Sequence, residues 1–171
     1  MKILKPNTLD PKVYFKSLID AVPETDLLSA LANCKEETLR VLRAIPVEKE
    51  SYAYAPGKWT IKQLAQHIVD CERILAYRAL SVARKEPGKL AGFDEGFYVE
   101  NDYSESRTLE DICDEFEVTR LSTQFLVSSF HPDVLDHVGN ANGVEVSTRT
   151  LGWFIAAHGA HHINVIKERY L

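Results

Sequence analysis

Leu27, Leu28, Leu31, Leu39, Leu42 and Ile45 recur at helical spacing and mark the apolar stripe of a first long helix. Thr25 or Asp26 can cap its start, the helix runs to about Ala44, and Pro46 stops it. A connection with a Pro56-Gly57 turn signal follows. The second helix begins at Thr60, where "TIKQ" fits a capping box with Gln63 reaching back. Ile61, Leu64, Ala65, Ile68, Cys71, Ile74, Leu75 and Leu80 form its inner face, His67 lies on the same side, and the pattern fades near Arg84. A third helix runs from about Leu109 to Ser129, capped by Thr108, with Ile112, Phe116, Thr119, Thr123, Leu126 and Val127 inward. The fourth starts near Ser147 or Thr148 and runs to the end of the chain.

Between these stripes the pattern changes. Residues 1–23 carry Pro6, Pro11 and Pro23 and read as a lead-in with one short helix around Val13–Ile19. "KEPGKLAGFDEGFYVENDYSESR" shows no helical period and reads as a long crossover between the second and third helices. Two short alternating segments flank Asn142-Gly143, as in a hairpin. Four amphipathic helices predict an all-α four-helix bundle. The long crossover can carry the chain along the bundle, so the order is not simply up-down-up-down.

The chain of 171 residues fits a single domain, 1–171. A net charge of −5 argues against nucleic acid as the main partner, because phosphate contacts need clustered Lys and Arg. The basic patches Lys58–Lys62 and Arg84–Lys89 read as solvated surface. No apolar run is long enough for a secretory signal or a membrane span. Three widely spaced cysteines, Cys34, Cys71 and Cys113, suit a reducing cytoplasm.

The candidate chemistry lies in "AAHGAHHINVI". His158 and His162 are one helical turn apart and can aim two imidazoles at one point, as H-x-x-x-H pairs do when they chelate a divalent ion. Leu151, Ile155, Val165 and Ile166 share their side, so the pair faces inward. His67 offers a third imidazole from another helix. Three histidines leave positions open on zinc, nickel or iron, which suits a reactive site. The competing reading is of core histidines satisfied by hydrogen bonds, without metal. His161 reads as helix flank or outer support. Cys71 can line the same cavity, ligate a soft metal or simply pack, and Asp70 can orient an imidazole or face solvent. Asp94, Glu95 and Tyr98 can border a cleft or cap loop backbone, while His131 and His137 read as surface. No phosphate-binding loop, nucleophile elbow or H-E-x-x-H motif occurs, so the general base of a zincin is absent.

"PGKWTIKQLAQHIVDCER" and "HGAHHINVIKERYL" resemble the second and last helices of the DinB/YfiT-like proteins. "GFDEGFYVEND" and "VSTRTLGWFIAAH" extend the resemblance, which covers about residues 25–171. Where that family often has Gln after its last ligand, this chain has Asn164 and Val165. The resemblance implies a DinB-like bundle in up-down-down-up order, a homodimer, and a divalent metal held by His67, His158 and His162. Some members of that family resemble low-molecular-weight-thiol S-transferases or a thiol-dependent isomerase, so the expectation is a metal-dependent enzyme of thiol S-transferase type, with hydrolysis second, a small-molecule substrate and a low-molecular-weight thiol as a candidate partner. A thiol carrying a carboxylate needs a cation, and Arg73, Arg78 and Arg169 are available. The alternative is a non-catalytic, stress-related bundle that binds metal or a small molecule.

Overall fold

The computed structural model describes residues 2–6 and 13–171. Pro11 of the expected lead-in, and the side chains of Val13, Tyr14 and Phe15, lie outside the described parts. The described residues form six α-helices: α1 Val13–Ala21, α2 Leu27–Leu42, α3 Ile61–Ala83, α4 Glu95–Glu100, α5 Leu109–Ser128 and α6 Thr148–Arg169. The boundaries follow local chemistry. Asp26, Thr60, Thr108 and Ser147 each accept a hydrogen bond from the backbone N–H three residues on, which satisfies an otherwise orphaned donor. Thr60 and Gln63 complete the reciprocal capping box.

The long helices α2, α3, α5 and α6 form a four-helix bundle in which α2 and α3 each pack against both α5 and α6. Side-chain contacts give the relative directions. Along α3 and α5 the residue numbers rise together, from Gln66–Arg107 to Glu72–Arg120. Along α3 and α6 they run oppositely, from Trp59–Tyr170 to His67–His162. Along α2 and α5 they also run oppositely, from Leu31–Arg120 to Arg43–Glu110. The lead-in lies over α6, where the Trp153 indole donates to the Leu4 carbonyl at 3.0 Å.

Two apolar clusters fill the bundle. One includes Leu27 and Leu31 of α2, Leu75 and Ala79 of α3, Val127 of α5 and Leu151 to Ala157 of α6. The other includes Leu39, Leu42, Ile61 to Val69, Ile112, Phe116, Ile163 and Ile166. On every long helix the buried polar groups Thr38, Glu72, Arg120, Thr123 and His158 fall between the two clusters. The core is thus divided by a polar belt halfway along the bundle.

A three-stranded sheet departs from the expected all-α architecture: β1 Lys89–Leu90, β2 Val138–Ala141 and β3 Val144–Ser147, in the order β1-β2-β3. β2 and β3 form the expected hairpin, with positive φ at Asn142 and Gly143 as its two-residue turn requires. β1 comes from the crossover and pairs in parallel with β2, Lys89 opposite Asn140 and Leu90 opposite Ala141. The crossover also contains α4, capped by Asp94. This helix has no sequence period because Val99 is its sole buried residue.

Three side chains depart from expectation. Leu80 is exposed, because the inner stripe of α3 passes through Leu75, Ala79 and Val82 and leaves residue 80 a third of a turn away. Lys62, expected on a solvated patch, is buried and donates to the carbonyls of Glu105 and Arg107 at 3.0 and 3.1 Å. His137 is half-buried, with Nδ1 3.1 Å from the Ala83 carbonyl. Among the described residues, no helix is long and apolar enough to cross a membrane.

Candidate metal centre

The inward face of α3 presents His67, Cys71, Leu75 and Arg78 in successive turns, and that of α6 presents Leu151, Phe154, His158 and His162. Because the two helices run oppositely, His67 meets the α6 pair. His162 Nε2 lies 3.2 Å from His67 Nε2 and 3.0 Å from His158 Nε2. The structure therefore brings together the three histidines singled out from the sequence. Trp59 packs on His67 at a ring-centroid distance of 4.8 Å, and Phe154 on His158 at 5.8 Å.

Burial keeps these rings neutral. It pushes His67 down to about 4 and His162 to about 3, and it drives His158 well below its ordinary 6.5. The neighbouring imidazoles and the Arg120 cation reinforce the shift at His158. A neutral imidazole nitrogen offers one proton or one lone pair. His162 Nε2 has only that single function for two neighbouring nitrogens, so hydrogen bonding cannot satisfy the trio well. A cation accepting one lone pair from each ring would. Two nitrogens on a tetrahedral ion with bonds of about 2.0–2.1 Å stand about 3.3 Å apart, close to the spacings here. The donor set fits a divalent transition metal.

Cys71 adds a soft donor. Its Sγ is 3.6 Å from both ring nitrogens of His67, and ligand atoms of His67, Cys71 and His158 all lie within 4.8 Å of one another. Burial, assisted by the Glu95 and Asp70 charges, pushes this thiol up to about 12. Asp70 accepts from the Gln66 side-chain amide, Nε2, at 3.0 Å rather than from an imidazole. His161 stacks edge-on against His162 and lines a different groove. His131 is exposed and caps a short 3-10 turn.

The histidines open into a cavity of about 540 Å³. Its far walls come from the crossover, through Phe93, Glu95 and Gly96, and from the hairpin, through Ala141, Asn142, Val144 and Val146. Of the three arginines considered for an anionic group, only Arg78 reaches this cavity. Arg73 is bound to Glu115, and Arg169 sits over the Tyr54 ring. Asp94 serves as a helix cap, while Glu95 lines the cavity. The crossover and the hairpin are the segments where substrate-choosing residues are expected from the sequence, but Val144 and Val146 carry no chemical signature that singles them out individually.

Residues 30–166, which include all three histidines, match the DinB superfamily. The chain belongs to the DinB superfamily. In fold, this DinB-superfamily chain is similar to YfiT from Bacillus subtilis, described as a probable metal-dependent hydrolase with an unusual four-helix bundle topology. That similarity has a TM-score of 0.74 at 15% sequence identity and covers 96% of this chain and 90% of YfiT. No curated protein matches the chain.

Proposed function

We propose that the protein is a divalent-metal-dependent enzyme in which His67, His158 and His162 hold zinc, nickel or iron and the cavity admits a small electrophilic substrate. The observation that carries this reading is the convergence of three neutral Nε2 atoms at 3.0 and 3.2 Å at one end of that cavity. A bound metal of this kind lowers the pKa of a coordinated water or thiol. The chain's own residues supply the setting. The low proton affinity of the rings leaves their lone pairs available at neutral pH. Trp59, Leu75, Leu151 and Phe154 keep the nucleophile and electrophile in an apolar enclosure. Thiol transfer and hydrolysis are the two reaction classes that this arrangement suits, and the fold similarity to a protein described as a probable hydrolase supports the second.

The contact directions support up-down-down-up order for α2, α3, α5 and α6. A second copy of the chain is the proposed partner, supported by the exposed Val118, Leu121 and Phe125 along α5. A reducing cytoplasm is the proposed setting, supported by three free cysteines.

The test is metal content by mass spectrometry on tag-free protein, beside His67→Ala, His158→Ala and His162→Ala. About one equivalent of a transition metal is expected in the parent and much less in each variant. Protein that stays metal-free after incubation with zinc or nickel overturns the reading. A metal-loaded protein that turns over neither activated esters nor thiol-reactive electrophiles overturns its catalytic half.

A further inference from the structure

Arg78 is a buried cation that faces the cavity and, among the described residues, makes no ion pair at contact distance. The residue is 8% exposed. Nη2 donates to the Ala91 carbonyl at 2.7 Å, and the guanidinium lies over the Phe93 ring at 5.6 Å. Among the described residues no carboxylate comes within ion-pairing distance of it, and Nε and Nη1 have no protein acceptor. Nη2 carries two hydrogens, so one complete two-hydrogen edge of the guanidinium stays free whichever hydrogen Ala91 takes. That edge is the geometry that grips a carboxylate through both oxygens. A cation set this deep gains more from an anionic partner than one on the open surface does.

The position of Arg78 defines what it can hold. It stands eleven residues beyond His67 on α3, roughly 16 Å along the helix axis, and its side chain tilts back toward the histidines. Between the two lie Cys71, Leu75, Leu151 and Phe154. Glu95 faces the same cavity from α4 and opposes any second negative charge there.

We propose that Arg78 is a specificity residue that anchors the carboxylate of an amphiphilic, monoanionic substrate, whose apolar body spans the cavity toward the three histidines. The proposal rests on the reading above only for where the reactive end of the ligand lies. The anchor itself needs no metal.

The probes are 4-phenylbutyrate and its uncharged amide, 4-phenylbutanamide, titrated by NMR into the full chain, as purified and after chelation. Both states should bind the carboxylate about tenfold or more tighter than the amide. Arg78→Met should erase that ratio, and Glu95→Gln should raise it severalfold. His158→Ala should leave it intact. Equal affinity for the two probes, no binding of either at millimolar concentration, or an unchanged ratio in Arg78→Met overturns the proposal. Should Arg78→Met fail to fold, the parent ratio and the Glu95→Gln response decide, and Glu95 is exposed enough to tolerate the change. Carboxylate binding that is lost in His158→Ala but kept in Arg78→Met places the anion at the histidines and also overturns it. If no metal binds while the ratio holds, the metal reading fails and the anchor stands.

Discussion

Arg120 grips both carboxylate oxygens of Glu72 inside the bundle, with Nε at 2.7 and 3.0 Å and Nη2 at 2.8 Å, and neither side chain is more than 2% exposed. Arg120 Nη1 also donates to the Leu31 carbonyl at 3.0 Å, so one guanidinium ties α5 to α3 and α2. A buried pair of this kind is costly to break from one side, because the surviving charge loses its partner. Arg120→Met and Glu72→Leu should each lose about 3–5 kcal/mol of unfolding free energy, and the double variant should lose much less than their sum. Urea denaturation of the three variants measures this. Additive losses would show that the pair is not coupled.

Gly159 brings α6 close to that pair. A Cβ at this position would stand 3.0 Å from Cys34 Sγ and 3.3 Å from Arg120 Nη2. Gly159→Ala should therefore push α6 outward, costing about 1–3 kcal/mol as overpacking does. Because His158 is the preceding residue, zinc affinity measured by competition with a chelator should fall with it. Unchanged stability and affinity would mean that the neighbours yield freely.

The difference between what the sequence revealed and what it concealed follows from the range of the interactions. The caps at Thr60 and Thr108 and the Asn142-Gly143 turn act within a few residues, so they were visible in short motifs. The His158–His162 pair was visible because one helical turn relates its members. Burial of Arg120 and Glu72 depends on partners 48 residues apart, and no periodicity encodes it. Lys62 likewise reads as surface until the carbonyls of Glu105 and Arg107 are placed beside its ammonium. The strand β1 is two residues long and gains its pairing only from the distant β2.

Acid should destabilise the metal-free protein through the histidine trio. Above pH 6.5 the rings are neutral in folded and unfolded chains alike, so they add no pH dependence. As pH falls through 6.5 the unfolded chain takes up protons that folded His67 and His162 refuse until about 4 and 3. Stability is therefore lost across that window, by up to about 1.4 kcal/mol per pH unit for each ring. Denaturation midpoints of chelated protein at pH 7, 6 and 5 should fall progressively. The slope should flatten in His67→Ala, and a slope indifferent to that change would contradict the assignment.

Cys71 is expected to flank the ion rather than ligate it. Burial holds its thiol up at about 12, so the sulfur stays protonated where a metal ligand must be a thiolate. Cys71→Ala should keep about one equivalent of metal. Loss of the metal would make the thiol a fourth ligand.

Thr60 holds two segments at once. Its hydroxyl accepts from the Gln63 N–H at 3.2 Å and donates to Glu105 Oε1 at 2.6 Å. Thr60→Ala should cost about 1–2 kcal/mol, while Thr60→Ser should recover most of it. Thermal unfolding of the two variants checks this, and equal losses would assign the effect to the missing methyl.

The parallel pairing of β1 with β2 has a consequence for how such a protein could acquire new substrates. The imidazoles stand on α3 and α6 of the bundle, and the Glu72–Arg120 pair ties α3 to α5 beside them. The opposite walls stand on the crossover and the hairpin, which are stitched to each other through Leu90 and Ala141. Residues there can be exchanged as a unit, reshaping what enters the cavity without disturbing the atoms that would do the chemistry. The same bundle can thus serve as a fixed reactive floor beneath an interchangeable roof.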